Sequence, residues 1–350
     1  MHNDPDTMPL LGAALGDALG SGVEGGKALA RAIREDADGI GRRFWPYSPF
    51  GFAPGEVTDD TQMALTAILA LRRGRPEVTA EHGRRAYVKR LGDAYRTWYA
   101  SAPPDVGSAT GAALRLDSVG GGWRSWAGGD SAGNGSLMRA TAAFTAGYRG
   151  EALMIAAALD GVVTHPDPRC VAACVWYSAT LEAARAADDA TKLPEAMRSG
   201  LSTLRQADVG TWLEGSAASE AKAWKAWEAR WPAARGEVVR AIEEALAGVH
   251  VDCLAQPWSE WPTGFVMDSL RQAAWAALQG STADEPIRLA VLHGGRDADT
   301  IGAIAGGLVG ARFGTRALDQ WPAGLLEQLE LGHPVPGAVG LRVIEIVNQR

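Results

Sequence analysis

The residues able to do chemistry concentrate in two acidic clusters. Val57-Thr58-Asp59-Asp60-Thr61-Gln62 stands immediately before the apolar periodic segment Met63 to Leu71, and Gly295-Arg296-Asp297-Ala298-Asp299-Thr300 stands immediately before Ile301 to Phe313. Each puts a threonine and paired aspartates at the start of a helix. Asp and Thr are ordinary helix caps, because they accept the orphan N–H groups of the first turn and complement its dipole. One cap, however, needs one such side chain. Two neighbouring carboxylates repel unless something cationic neutralises them, and a helix N-terminus supplies only about half a charge. Two such clusters in one chain point to a meeting around hard cations. All the candidate ligands are carboxylate and hydroxyl oxygens, with no Cys or His set beside them, which favours Mg²⁺, Mn²⁺ or Ca²⁺ over zinc. Roughly five or six protein oxygens can hold a pair of ions, with waters completing the shells. Such a pair orients a sugar diol and lowers the pKa of a bound water.

A third acidic feature is Gly12-Ala13-Ala14-Leu15-Gly16-Asp17-Ala18-Leu19-Gly20, followed by Glu24. The glycines permit tight helix contact. Asp17 can cap or pair inside a bundle. Glu24 either reaches the same pocket or is a solvated glutamate, and its residue type alone favours the second.

These residues need a rigid frame, and the helical period supplies it. Apolar residues at three-to-four spacing mark Leu10 to Leu19, Met63 to Leu71, Ala152 to Val163, Val171 to Ala187, Trp224 to Trp231, Val238 to Val249, Gly264 to Leu278 and Ile301 to Phe313. Alternating runs suited to strands are nearly absent, so the class is all-α. Phe44 to Gly55, Pro103 to Gly107 and Gly120 to Gly135 read as long irregular loops, the places where a rigid frame usually carries its chemistry. A length of 350 residues allows one large domain or two smaller ones. The stretch from about Asp188 to Trp261 is charged, Ala-rich and holds six of the 13 tryptophans. No low-complexity linker isolates it, so it reads as a helical excursion within a single domain spanning residues 1–350, its tryptophans serving core packing.

Composition narrows the partners. The net charge is −7, from 34 basic against 41 acidic residues, and no basic cluster is interleaved with aromatics. That argues against direct nucleic-acid binding. Three cysteines, Cys170, Cys174 and Cys253, cannot form a disulfide framework. The segment Met1 to Pro9 is polar and lacks a signal-peptide pattern. No uncharged run reaches the roughly 18–20 residues of a membrane span. A cytoplasmic protein with no membrane contact is the expectation.

Taken together and in order, these motifs resemble the ADP-ribosylglycohydrolase family, which includes the dinitrogenase-reductase-activating glycohydrolases. Gly16-Asp17-Ala18-Leu19-Gly20 with Glu24 is similar to that family's N-terminal signature, and Thr58-Asp59-Asp60-Thr61 to its Asp-Asp-Thr motif. Asp105-Val106-Gly107 with Thr110, Gly133-Asn134-Gly135-Ser136-Leu137-Met138-Arg139, and Thr164-His165 followed by Pro168 to Val175 match three central elements. Gly264 to Leu278 is similar to the penultimate helix, and Gly295 to Thr300 to the end motif. The matches run from about residue 9 to 314, with no motif between Asp188 and Trp261.

The resemblance implies a compact orthogonal multi-helix bundle around two Mg²⁺ or Mn²⁺ ions, held by Thr58, Asp59, Asp60, Asp297, Asp299 and Thr300. It places ADP-ribose against Asn134, Gly135 and Ser136, with His165 in the same pocket. Without the resemblance, His165 reads as a satisfied core histidine at a helix start. Asp105 and Glu24 become the acid/base candidates, beside Asp59 and Asp299 at the ions. The Asp105 element is closer to the arginine-specific branch than to the serine-specific one. The expected substrate is therefore an ADP-ribosyl-arginine protein or small molecule. Other readings are an O-linked (serine or nucleic-acid) ADP-ribose hydrolase, a phosphoester or nucleotide metallohydrolase, a non-catalytic ADP-ribose reader, and a structural protein on the same fold.

Overall fold

Apolar residues recurring every three to four positions build helices along nearly the whole chain. The computed structural model describes residues 4–117, 119–216, 220–338 and 340–348, and among them no β-strand forms. Extended pairing is confined there to isolated bridges, Glu56 with Glu330 and Gly133 with Phe265. The fold is all-α, as its periodicity predicts.

In chain order, α1 (Met8–Ser21), α2 (Gly26–Asp36), α3 (Asp59–Arg72) and α4 (Glu81–Ala100) precede three short helices, α5 (Ser108–Leu114), α6 (Gly121–Trp126) and α7 (Thr141–Thr145). Longer ones follow: α8 (Gly150–Thr164), α9 (Pro168–Ala187), α10 (Leu193–Gln206), the short α11 (Val209–Leu213) and α12 (Ala221–Leu246). Then come α13 (Val266–Leu278), α14 (Asp284–Leu292), α15 (Ala298–Phe313) and α16 (Val343–Asn348).

The molecule is organised around α1 and α15. Every residue of α1 is buried, and every residue of α15 except Arg312. A helix apolar on all sides belongs in the centre, and these two lie antiparallel against each other on a glycine seam. Gly12 faces Gly306, Gly16 faces Gly302 and Gly20 faces Ala298. A Cβ on Gly16 would stand 2.0 Å from the Gly302 carbonyl oxygen, and one on Gly306 would stand 2.0 Å from that of Gly12. Only hydrogen side chains let two backbones approach so closely. Around this pair pack α3, α7, α9, α13 and α14, with α4 and α8 outside α3 and α9.

Three local expectations change. Trp224 to Trp231 and Val238 to Val249 form one continuous helix, α12, with Pro232 inside it. Both Pro232 and Glu228, whose carbonyl loses its N–H partner, are exposed, so water can serve the orphaned group. The Gly120 to Gly135 loop contains a helix, α6, entered through Gly120 at φ +79°. A further helix, α14, separates α13 from α15. The Trp-rich region packs inward along α12. Trp224, Trp227 and Trp231 stack in series at centroid distances of 5.3 and 5.0 Å, with Trp227 fully buried. Cys170, Cys174 and Cys253 are buried and free. No helix among the described residues is long and apolar enough to cross a membrane.

Candidate active site

The start of α3 is fixed from α1. The Asp17 carboxylate is fully buried and accepts from the Thr58 N–H and hydroxyl, and from the Thr61 N–H at 3.1 Å and hydroxyl at 2.6 Å. Asp17 is thus a cap delivered from another helix, one of the two roles its position allowed. Burial pushes its carboxyl up to about 6, against the pull of those donors. Gln62 secures the same turn from behind. Its amide donates to Val57 O at 2.8 Å, while its oxygen accepts from the Trp98 indole at 3.1 Å.

Around Asp17, three neighbouring carboxyl groups each keep one buried oxygen without a partner. Asp60 keeps one oxygen near the Thr58 hydroxyl at 2.9 Å and the Thr300 hydroxyl at 3.4 Å. Its other oxygen, Oδ1, is buried without a hydrogen-bond partner, as are Asp299 Oδ1 and Glu24 Oε2. Carboxylate oxygens of Asp17, Asp60 and Asp299 lie within 4.8 Å of one another, and so do those of Glu24, Asp297 and Asp299. Asp299 belongs to both groups. Burial, then the charges of Asp60 and Asp297, holds its carboxyl well above the ordinary range. Glu24 is raised by burial and then by Asp299 and Asp105. Asp60 is raised by burial and then by Asp17 and Asp59.

Partnerless buried oxygens this close are costly in a metal-free protein. A divalent cation satisfies them, and an all-oxygen donor set suits a hard ion. The cluster therefore fits a metal centre.

Above the cluster opens a cavity of about 280 Å³, lined by Glu24, Asp59, Asp105, Asp297, Asp299 and Thr300 on its acidic side. Thr58 and Asp60 sit beneath that floor, both fully buried. Asp105 arrives on the Pro103 to Gly107 loop, and its carboxyl hydrogen-bonds to that of Asp59. Two carboxyl groups bond only by sharing a proton. Both carboxyls are raised by burial, Asp59 also by the charge of Asp105, so the pair shares its proton. The Gly107 N–H also serves Asp59.

The opposite wall is the Gly133 to Gly135 loop, which is pinned at both ends. Asn134 donates its amide to Asp297 and to Ser269 Oγ at 2.8 Å, and its N–H to Gly264 O at 3.0 Å. Burial moves the Asp297 carboxyl up to about 6, with the Asn134 bond opposing. Behind the loop the fully buried Arg139 donates to Gly135 O at 2.5 Å, to Asp160 Oδ1 at 2.9 Å and to Thr164 Oγ1 at 2.9 Å. Tyr95 completes the set on Asp160 at 3.0 Å. Ser136 sits behind the loop against Cys174 and does not line the cavity.

His165 follows from this network. Thr164 Oγ1 accepts from Arg139 and lies 2.8 Å from His165 Nδ1, holding the ring in place. Burial, then the Arg139 charge, lowers the ring to about 3, so it stays neutral. Its other nitrogen, Nε2, lies beside the bare face of Gly133 and Gly135, where a Gly135 Cβ would lie 2.7 Å from the ring. Thr110 Oγ1, also lining the cavity, has no partner. Both face the acids across one cavity.

Of the site residues singled out in the sequence, nine line this cavity, Thr58 and Asp60 lie beneath it, and Ser136 lies behind the loop. Sequence reasoning assigned no task to Arg139, Asp160, Tyr95, Gln62, Trp98 or Ser269, which hold the others. Arg139 closes the Gly133 to Arg139 motif, and a buried arginine with an acid partner was the available signal.

The profile of the ADP-ribosylglycohydrolase family matches residues 8–345. The ADP-ribosylarginine hydrolase Tri1 of Pseudomonas putida (strain GB-1) is 27% identical over 321 residues, 88% of this chain and 70% of that protein. The ADP-ribosyl-[dinitrogen reductase] glycohydrolase of Rhodospirillum rubrum is 25% identical over 326 residues, 92% of this chain and 88% of that protein. Among solved structures, an ADP-ribosylglycohydrolase-related protein complex superposes with a TM-score of 0.57 at 24% identity, over 94% of this chain and 98% of that one. That last likeness is one of fold.

Proposed function

From the premise that the chain belongs to the ADP-ribosylglycohydrolase family of enzymes, we propose that it hydrolyses the N-glycosidic bond between ADP-ribose and an arginine side chain, using two Mg²⁺ or Mn²⁺ ions. The observation that carries this reading is the opposition of partnerless carboxylates and the partnerless Thr110 hydroxyl across one cavity. The name of the Pseudomonas putida relative supports arginine over serine. Asp60, Asp297 and Asp299 would hold the ions, with Thr58, Asp59 and Thr300 completing the set. Cations bound there supply Lewis-acid polarisation of ribose hydroxyls and acidify a nearby water.

The chain's own groups do the rest. Thr110, His165 Nε2–H and the Gly133 to Gly135 backbone bind the diphosphate, so the distal ribose lies over the acids. Neutral His165 acts as a donor and not as a base, since its proton affinity is too low at neutral pH. Asp105, half-buried at the cavity mouth, takes the proton of the attacking water as its oxygen bonds to the anomeric carbon. Glu24, on the other side of the ribose, gives a proton to the departing guanidine nitrogen as the C–N bond breaks. Such proton transfers contribute about 10²–10⁴-fold. Arg139 orders the loop without touching substrate.

The test is to incubate the purified protein with arginine- and serine-ADP-ribosylated peptides, in Mg²⁺ and in EDTA, and to detect freed ADP-ribose by mass spectrometry. Metal-dependent release from the arginine peptide alone is expected. Release from the serine peptide alone would overturn the linkage, and binding without release would make the protein a reader.

A further inference from the structure

We propose that the cleft on the far side of Glu24 seats the acceptor, meaning the arginine side chain and adjoining backbone of the modified protein; this rests on the hydrolase reading above. The cleft measures about 510 Å³, is walled by Trp45, Tyr47 and Trp258, and has Lys27 and Arg31 among its lining residues. It meets the acidic cavity at Glu24, which lines both.

The shape of the substrate assigns the ends. On the distal ribose the diphosphate hangs from C5″ and the acceptor from C1″, on opposite flanks of the ring. A ribose held over the acids must send these two arms out in different directions. One continuation of the cavity passes His165 into a recess of about 230 Å³, and the two spaces share Ser108, Ala109, Ser131 and His165. That route carries the donors an anion needs. The other passes Glu24, whose carboxyl group can accept from a guanidine N–H and adds no donor for a phosphate. Beyond it are aromatic faces, which stack planar cations and peptide groups.

The rim of this cleft is also where apolar surface is left in water. Tyr47 is 46% exposed and Trp258 53%, with Phe50 nearby in sequence at 43%. Exposed aromatics gathered at one mouth mark a docking surface. The rings are held in place from within: the Arg31 guanidinium lies 3.9 Å from the Tyr47 centroid and that of Arg296 lies 4.2 Å from Trp258.

The same indoles clamp the turn that carries Glu24. A Cβ on Gly26 would lie 2.2 Å from the Trp258 ring, and one on Gly22 would lie 2.5 Å from Trp45 Cβ. The Gly25 N–H donates to Arg296 O at 3.1 Å. Trp258, from the stretch that carries no motif, is thus both wall and positioning residue.

The experiment measures steady-state kinetics on an arginine-ADP-ribosylated peptide, and ADP-ribose affinity by calorimetry, for Tyr47→Ala, Trp258→Ala and Trp258→Phe. Tyr47 is half-exposed and outside the Glu24 turn, so its truncation leaves the fold intact. Both alanine variants are expected to raise KM for the peptide about tenfold, the weight of one aromatic anchor, with ADP-ribose affinity unchanged. Trp258→Phe should restore most of the loss. An unchanged peptide KM in Tyr47→Ala and Trp258→Ala, or an equal loss of ADP-ribose affinity, overturns the assignment while wild-type cleavage keeps the hydrolase reading. A wild-type protein that binds ADP-ribose but cleaves no arginine peptide overturns both.

Discussion

Replacing Gly16 by alanine adds one carbon to α1 and asks whether the glycine seam sets the active site. The new Cβ would stand 2.0 Å from the Gly302 carbonyl oxygen and 2.4 Å from its carbon, where ordinary contact is about 3.5 Å. Both obstructing atoms are helical backbone, so no rotamer change relieves them. The helices must part by roughly 1 Å, and overpacking of this kind costs about 1–3 kcal/mol. Helix propensity opposes it with about 1 kcal/mol in favour of alanine. The net loss is therefore only about 0–2 kcal/mol, at most a few degrees in Tm for a chain of this size. Activity should suffer far more. α1 delivers Asp17 and Glu24 to one side of the cluster, and the start of α15 delivers Asp297, Asp299 and Thr300 to the other. A displacement of about 1 Å at a reacting centre costs on the order of 10²-fold in rate. Circular-dichroism melts and kcat/KM on the arginine peptide read the two effects separately. Gly236→Ala is the control: its Cβ would meet nothing within 4 Å on exposed α12, so stability should rise by about 1 kcal/mol with activity unchanged. A Gly16→Ala protein that melts above the parent and keeps full kcat/KM would refute the reasoning.

Asp299→Asn removes the charge common to both carboxylate groups. The metal-free variant should melt at or above the parent, while Mg²⁺ no longer raises its Tm and turnover falls by orders of magnitude; a cation-induced rise matching the parent's would exclude Asp299 as a ligand. In EDTA, stability should decline as pH rises. Asp17 and Asp297 ionise near 6 when folded against 3.8 ordinarily, so the folded state binds more protons and loses stability through that window. Glu24, Asp60 and Asp299, also raised by burial and by their acidic neighbours, act in the same sense. His165, lowered to about 3 from 6.5, acts in the opposite sense but is one group against several carboxyls. Urea midpoints measured from about pH 4.5 to 6.5 should therefore fall in EDTA and fall less with Mg²⁺, and a rising midpoint in EDTA would contradict the charge arrangement. Arg139→Lys keeps a cation but cannot serve Asp160, Gly135 and Thr164 together, so about 3 kcal/mol of stability should go, and an unaltered urea midpoint would show the network to be dispensable.

The sequence was most legible where chemistry and helix entry coincide. Paired aspartates at the starts of α3 and α15 exceed what a cap requires, and that excess located the cluster. Helices with continuous apolar runs, such as α1, α8, α9 and α15, were equally plain. Those missed were amphipathic and charged. α4 buries only a stripe, Tyr87, Val88, Leu91, Tyr95 and Trp98, beneath an exposed basic and acidic face. α2 and α10 share that character, each burying one narrow face. α6 hid behind its glycines, and Pro232 split α12 on paper because exposure of the broken bond is not written locally. Within the site, the side chains that line the cavity stand in motifs, whereas the groups that orient them lie far off in sequence. Trp98 finds Gln62 across 36 residues, and Ser269 finds Asn134 across 135. Such pairings arise from tertiary packing, and no local spacing encodes them.

The α1–α15 seam also dictates when a newly made chain can become active. Gly16 and Gly302 are 302 − 16 = 286 positions apart, so nearly all of the described fold must leave the ribosome before α1 meets its partner. At about 5–20 residues per second, α1 waits tens of seconds with its all-apolar surface uncovered, in need of a chaperone or a temporary neighbour. Contacts of such long range also slow the final folding step. A nascent chain halted between α3 and Asp299 has the aspartates of α3 but lacks the carboxylate that both acidic groups share, so the cluster is complete only once the first and fifteenth helices have closed on each other.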